Sequence, residues 1–517
     1  MPSRNRGSRK KGVNAGGRTK TLQRLVVPKT VEAREGSSGG IIQVASATSS
    51  TRTASTRGTG DRSEIRIRST IGGGPRRRRT RPSPSGINQT PTNVLQVFVF
   101  GCGENGELGL GSMRTTAHRP CANPFLKPGD PFKLHVVRIA CGGMHTVALT
   151  ADNMIVTWGV NDNDALGRNT DWNGGGWLDF EPDGENGELN PFESTPTAIP
   201  AEAFPLDTTF VDVAAGDSCS FALTATGLVY GWGTFRDPDG REGFGYAPNG
   251  TRIQRQATPT LVVGLENITQ ITCGANHALA LDLAGNIWAW GSGHQNQFGR
   301  RLFGRHKDGL RPHPVRWCRK GARYIACGEY HCFAVDRKDD VWGWGLNSFG
   351  EAGDATTAGT NSALLPCPRK IQHLCGRGVT VLDGGAHHSA AVTADGQCLV
   401  WGRIDSGQLG IDFTASQLQD PTLIRCDARG RARICLWPTV VPNIGKGVHV
   451  ACGSDHTIFV NEHGHAFASG FGSEGQLGLG SDADVCIAQR IASEDVKGRF
   501  LTWAGAGGQF SVVAGPA

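Results

Sequence analysis

Seven copies of one short pattern run from about residue 94 to the end of the chain, and no other feature constrains the fold as tightly. The pattern is Gly-x-x-His followed by small or apolar residues: Gly142 to His145, Gly274 to His277, Gly328 to His331, Gly385 to His388 and Gly453 to His456. Two degenerate copies run from Gly216 to Cys219 and from Gly507 to Phe510. Thirteen residues after each of the first six copies ends stands an aromatic-Gly step or its equivalent: Trp158, Trp232, Trp290, Trp344, Trp401 and Ser469, each followed by Gly. A seventh step, Phe100-Gly101, stands alone near residue 94, while the seventh Gly-x-x-His-like copy stands alone at the other end.

That offset carries topology. The strand at Val97–Phe100 lacks its Gly-x-x-His partner, and the strand at Phe510–Val513 lacks its aromatic-Gly partner, so joining them completes one unit from both chain ends. A closed ring needs such a joint, whereas an open solenoid would carry capping repeats. Each unit reads strand, turn, strand: His145 to Leu149, a turn at Ala151-Asp152-Asn153, then Ile155 to Trp158, with Thr226-Gly227 and Ala284-Gly285 as later hairpin turns. No 12-residue stretch holds a helical period, and the repeat spacing is 54–74 residues. The expectation is an all-β fold, a seven-bladed β-propeller of four-stranded blades over residues 94–517, closed by its N- and C-terminal strands. Gly-x-Gly-x-x-Gly strings at Gly101-Gly103-Gly106 and Gly470-Gly472-Gly475 mimic a dinucleotide fingerprint, but Leu-Gly turns follow them and no helix, so they read as corners.

Residues 1–93 have the opposite character. Residues 1–90 hold 20 Lys/Arg against 4 Asp/Glu, the remainder 33 against 42, and residues 1–93 contain no Phe, Trp or Tyr. Such a segment cannot bury enough apolar surface to offset chain entropy, so it is expected to be a disordered basic tail. Its densest clusters are Arg9-Lys10-Lys11 and Arg76-Arg77-Arg78-Arg79 with Arg81. They read either as a solvated, solubilising tail or as a nuclear address for importin and a DNA-binding arm, because clustered cations suffice to neutralise phosphates. No 18-residue apolar run exists, so no transmembrane helix and no membrane partner are expected, and no apolar core follows Met1–Lys11 as in a secretory leader. Fifteen cysteines without a CxxC pair read as reduced thiols, not as a disulfide framework or zinc site, and no cofactor is expected.

One imidazole at the same place in five units reads as structural: a buried ring bonding a neighbouring backbone group. A metal would need converging ligands, and a ring spreads these residues around a circle. The Trp of each Trp-Gly pair is expected to pack between blades, and Cys141, Cys273, Cys327 and Cys452, at one repeat position, to be small buried residues.

Function is expected where copies differ. In six units the closing glycine comes eight positions after the aromatic-Gly glycine, as from Gly345 to Gly353. In one it comes twelve positions after, Gly233 to Gly245. The four extra residues must protrude from a propeller face, with charge from Arg236, Asp237, Asp239, Arg241 and Glu242 and a turn shaped by Pro238 and Gly240. The same unit carries Asp217 and has Cys219 for the repeat His. His387 precedes repeat residue His388 and is one histidine more than the pattern requires. A basic patch (Arg300, Arg301, Arg305, Lys307, Arg311, Arg316, Arg319, Lys320, Arg323) contrasts with an acidic bias at 171–193, which reads as a charged surface loop.

These repeats resemble the regulator of chromosome condensation family of seven-bladed propellers over about residues 94–517. The likeness rests on Val97-Phe98-Val99-Phe100-Gly101 with Glu107-Leu108-Gly109-Leu110-Gly111, on Asn123-Pro124-Phe125-Leu126, on Gly142-Gly143-Met144-His145-Thr146, on Ala165-Leu166-Gly167-Arg168, on Glu193-Ser194-Thr195-Pro196, and on the Thr234–Glu242 insertion. The resemblance implies a guanine-nucleotide exchange factor for the small nuclear GTPase Ran, nuclear and chromatin-bound, that involves no covalent chemistry. It implies that the insertion, Phe235 to Glu242, is a β-wedge pressing on the phosphate-binding region of the GTPase. It carries an exchange aspartate onto Asp217 and an exchange histidine onto His387. A second family aspartate falls at Asn276, and the last-blade His at Phe510, both departures. It further implies that Arg300, Arg301, Arg305 and Lys307 meet the histone acidic patch of the nucleosome, and that the tail binds DNA. The alternative is a non-catalytic scaffold or chromatin reader, which would tolerate trimming of the wedge.

Overall fold

The computed structural model describes residues 86–172, 188–300, 309–315 and 321–517. Seven antiparallel sheets form the ring expected from the repeat. From the central channel outward, blade 1 is Val136–Cys141, His145–Thr150, Ile155–Gly159 and Thr197–Ala198. Blade 2 is Phe210–Ala215, Cys219–Thr224, Val229–Gly233 and Gln256–Leu261. Blade 3 is Ile268–Cys273, His277–Asp282, Ile287–Gly291 and His313–Pro314. Blade 4 is Ala322–Cys327, His331–Asp336, Val341–Leu346 and Leu364–Lys370. Blade 5 is Val379–Gly384, His388–Thr393, Cys398–Arg403 and Ala432–Val440, with a fifth strand, Ile424–Cys426, outside them. Blade 6 is Gly447–Cys452, His456–Asn461, Ala466–Gly470 and Val485–Arg490. Blade 7 is composite: Trp503–Ala506 and Phe510–Pro516 from one end of the chain, Leu95–Cys102 and Thr116–Ala122 from the other. Leu95 to Gly101 pair residue by residue with Pro516 to Phe510, the joint that the offset ends predicted.

Two glycines explain why the motif is written as it is. An added Cβ at Gly328 would lie 2.2 Å from Cε1 of His331, so only Gly lets the imidazole fold back over its own turn. Gly345, after Trp344, holds φ +104° and would place a Cβ 2.7 Å from the Tyr330 carbonyl.

The repeat histidine is buried, but its partner differs from the one expected. His145 Nε2 reaches the Ser220 hydroxyl of the next blade at 2.8 Å, not a backbone group. Ser220 donates onward to the Ala165 carbonyl at 2.8 Å, and Trp232 Nε1 donates to that same carbonyl at 2.8 Å. The hydroxyl gives its proton away, so the ring must be the neutral Nε2–H donor. The relay recurs as His331–Ser389, His388–Thr457 and His456–Ser511. Burial holds His145 and His456 down at about 4 and His388 at about 3, so they stay uncharged at neutral pH. The His145–Ser220 and His331–Ser389 relays tie a Trp, a hydroxyl and an imidazole from two blades to one carbonyl. At His388–Thr457 the Ser469 hydroxyl takes the place of the Trp, and at His456–Ser511 the hydroxyl alone donates to the Gln476 carbonyl. The five Trp side chains are buried between blades as expected, each contributing on the order of 2–3 kcal/mol. At the composite blade, Phe510 replaces the histidine, and the equivalent hydroxyl, Thr146 Oγ1, is buried without a hydrogen-bond partner. Blade 2 resolves the same loss differently: Cys219 replaces the histidine and Ala278 the hydroxyl.

One boundary moves. Residues 86–93 fall in the segment expected to lie outside the propeller, yet Ile87 and Asn88 donate their amides to the Ala225 carbonyl, and the Asn88 side chain bridges Thr224 and Ile268. The clusters Arg9-Lys10-Lys11, Arg76–Arg79 and Arg81, and the middle of the acidic stretch, 173–187, lie outside the described residues. None of the fourteen described cysteines forms a disulfide, and no described helix is long and apolar enough to cross a membrane.

Candidate functional site

The chain runs the same way in every blade, so residues at one repeat position lie on one face. The turn between the first two strands of each blade places two residues around the mouth of a central channel of about 300 Å³. The inner ring is Gly143, Asp217, Ala275, Glu329, Ala386, Ser454 and Gly508, directly tied by main-chain bonds such as Asp217 N to Ala275 O (2.8 Å) and Gly508 N to Gly143 O (2.8 Å). The outer ring is Met144, Ser218, Asn276, Tyr330, His387, Asp455 and Gln509. In all seven units the residue after the aromatic-Gly or Ser-Gly step donates to the carbonyl of the outer-ring residue, as Thr234 does to Ser218 (2.8 Å) and Arg403 to His387 (2.9 Å). This bond puts the corner loops, and with them the long insertion, on the same face as the rings. Asp217, Asn276, His387 and the insertion therefore share one surface.

The insertion is a small two-stranded ribbon. Phe235 pairs with Gly243 and Arg236 with Glu242. The Asp237 carboxylate accepts from the amides of Asp239 and Arg241, and Gly240, at φ +76°, completes the turn. A second ribbon, Gly245–Tyr246 with Arg252–Ile253, stands behind it. Phe235 corrects an expectation. Its side chain is 2% exposed and stacks on Phe244 (centroids 6.1 Å, 7° between planes) and on Phe221, so it anchors the ribbon and offers nothing to a partner. The surface of the ribbon belongs to Arg236, Pro238, Asp239, Gly240 and Arg241, all exposed.

The base of the ribbon is braced by residues the sequence did not single out. Arg255 grips Glu242 with two bonds, 2.6 and 3.0 Å, and donates to the Asp162 carbonyl of blade 1. That grip lowers the Glu242 carboxyl below its ordinary range. Arg236 reaches Asn163 at 3.1 Å.

Asn276 joins the ribbon to the ring. Its Oδ1 accepts from the Arg236 amide at 2.7 Å and its Nδ2 donates to Asp217 Oδ2 at 3.4 Å. A carboxylate here could accept the first bond but would repel Asp217. Asp217 itself is exposed at the channel mouth, yet crowding by the walls raises its carboxyl, with Arg236 and His277 pulling the other way.

On the far side of the channel His387 packs on Phe349 (centroids 4.8 Å) and lies 3.6 Å from the fully buried Glu351. Arg403, stacked on the same Phe349, links Asp405 to Asp455. Between these poles sits Glu329, whose carboxyl burial raises to about 7 although the Ser454 hydroxyl donates to it. Glu329, Tyr330, Ser454 and Asp455 escaped the reading of the sequence. Their signal was there: they occupy the two repeat positions of Asp217 and His387.

The rim is acidic, with Asp217, Glu329 and Asp455 on its two rings. It is suited to bind a basic surface and to insert a rigid ribbon into it. Of the cations expected at the histone surface, Arg300 lies over the Phe298 ring (6.0 Å), while Arg301, Arg305 and Lys307 fall outside the described residues.

Residues 96–513 match the RCC1-like domain. A curated relative, the guanine nucleotide exchange factor SRM1 of Saccharomyces cerevisiae, is 37% identical over 435 residues, 81% of this chain and 87% of its own. The crystal structure of Prp20p from the same yeast, described with its binding to Gsp1p and histones, superposes with a TM-score of 0.73 at 36% identity, over 83% of this chain and 92% of that one. Yeast RCC1 (Prp20) bound to Kap60 superposes with a TM-score of 0.74 at 34% identity, over 87% and 96% of the two chains.

Proposed function

The chain belongs to the RCC1-like domain family, and from that membership and the geometry of the wedge face we propose that it is a guanine-nucleotide exchange factor for the small GTPase Ran. The observation that carries the reading is the braced ribbon between Gly233 and Gly245 beside Asp217, on the face where the repeat presents its variable residues. An exchange factor works by differential affinity. It binds the nucleotide-free GTPase better than either nucleotide-bound form, and incoming nucleotide displaces it. Arg236, Asp237, Pro238, Asp239, Gly240 and Arg241 would occupy the space and hydrogen bonds that hold the phosphates. Asp217, Asn276 and His387 would be interface contacts around them, with Glu242 bracing from behind. The acidic rim would steer a basic partner surface toward the wedge.

The test is release of labelled GDP from purified Ran. The intact chain should accelerate it, and a variant lacking Asp237–Gly240 should lose about 100-fold or more, equivalent to ~3 kcal/mol. Equal acceleration by both would leave a scaffold or chromatin reader as the better account.

The relatives' partners extend the proposal. Prp20p is described with histones and yeast RCC1 with Kap60. For this chain we assign nucleosome contact to Arg300, Arg301, Arg305 and Lys307. Importin and DNA contact go to Arg9, Lys10, Lys11, Arg76, Arg77, Arg78, Arg79 and Arg81, with a nuclear, chromatin-associated location. Removing residues 1–85 should weaken DNA binding and flatten its salt dependence, and an unchanged slope would move the contact to the propeller.

A further inference from the structure

The relay of imidazole and hydroxyl is broken in a third way between blades 3 and 4. His277 Nε2 faces not a hydroxyl but the Cys332 thiol, at 3.0 Å. Blade 4 supplies a second thiol to the same imidazole, Cys327, paired with Cys332 across the two inner strands. One donor atom from each of these three buried residues lies within 4.8 Å of the other two. The repeat histidines stay spread around the ring, and the convergence comes instead from thiols beside one of them: one residue from blade 3 and two from blade 4.

The other six interfaces show that this is not what the repeat requires. The two positions of the following blade that flank the repeat residue are Ala215 and Ser220, Cys273 and Ala278, Gly384 and Ser389, Cys452 and Thr457, Ala506 and Ser511, and Cys141 and Thr146. Each pair carries at most one Cys. Only blade 4 places thiols at both, and only there do they meet a histidine as well.

We propose that His277, Cys327 and Cys332 form a binding site for a thiophilic metal ion of the zinc class, clamping blade 3 to blade 4. Two thiolates and a neutral imidazole are the donor set that Zn²⁺ and softer ions select, and mutual separations under 4.8 Å suit donors placed around one ion. The Cys332 thiol now donates weakly to the Gln297 carbonyl at 3.4 Å. Binding would deprotonate both thiols and release that bond, while Trp344 Nε1 continues to satisfy the carbonyl at 2.7 Å. Such an ion would be structural, buried behind the wedge face, where His277 directly follows Asn276, and the proposal does not rest on the exchange reading.

The test uses the reduced full chain with the exposed Cys367, Cys426 and Cys486 changed to Ser, so that surface thiols do not report. Cd²⁺ and Co²⁺ are the probes, added to the folded protein and, separately, present during refolding, because a buried site binds as it folds. The expected result is one equivalent bound, with a thiolate-to-metal charge-transfer band and a higher melting temperature. Cys332→Ser restores the hydroxyl used at four other interfaces, so it should fold with an unchanged melting temperature in chelator and lose both the band and the metal-induced rise. Cys327→Ala should lose the band as well. No thiolate band under either condition, or a band that survives Cys332→Ser, would overturn the proposal.

Discussion

His387 and His388 are neighbours in the chain and opposites in the molecule. His388 is fully buried, held neutral, and bonded through Thr457 into the relay that joins blade 5 to blade 6. His387 lies on the channel rim beside Phe349, facing whatever approaches the wedge face. The same division holds around the ring. The repeat position is almost constant because one geometry must be satisfied at every interface, and the position before it is free to read Met144, Ser218, Asn276, Tyr330, His387, Asp455 or Gln509. Constancy within a repeat marks what holds the ring closed, and variation marks what the ring presents.

The sharpest electrostatic contrast is Glu329. Its carboxyl is raised from the ordinary 4.5 to about 7, so the folded chain holds a proton there that the unfolded chain has lost. Its favourable contribution is complete below pH 4.5 and is lost as pH rises through 7. The buried relay histidines act in the opposite sense: unfolded histidine takes up a proton below about 6.5 and the folded ring does not, so their contribution is lost as pH falls. Glu329→Gln should therefore gain stability at pH 8 relative to the parent, by about 2 kcal/mol, and lose that advantage by pH 4.5. Urea midpoints across this range measure it, and parallel curves for the two proteins would contradict the assignment.

A smaller contrast lies inside the relay. Thr457→Val leaves His388 Nε2 without its acceptor and should cost about 1–2 kcal/mol. Thr146→Val removes a hydroxyl that already lacks a partner, because Phe510 stands where the histidine would be, and should change stability by less than ~0.5 kcal/mol. Equal losses in thermal or urea unfolding would mean that the relay is not what the hydroxyls serve.

The architecture was legible because the offset of the two chain ends leaves a ring as the natural closure, and Gly-x-x-His states its own steric reason at Gly328 and His331. The insertion was legible as a length difference. What the sequence hid was pairing across blades. That a serine 75 residues from His145 completes its bond, or that Cys332 meets His277 and not a carbonyl alone, depends on which strand of the next blade faces inward. Phe235 was misjudged for a related reason: it lies next to the charged tip in sequence, but strand alternation turns it into the Phe221–Phe244 cluster. Glu329 and Asp455 stand beside no insertion and no lost repeat histidine, so only the comparison of all seven residues at the two presenting positions distinguishes them.

The most direct measurement sets the adjacent histidines against each other: GDP release from Ran and urea unfolding, each for His387→Ala and His388→Ala. The account predicts that His387→Ala loses about tenfold or more in exchange (~1.4 kcal/mol) with stability nearly unchanged. His388→Ala should lose about 2–4 kcal/mol of stability while exchanging normally per folded molecule. Equal effects of the two substitutions on exchange, or a His387→Ala variant that unfolds as readily as His388→Ala, would contradict it.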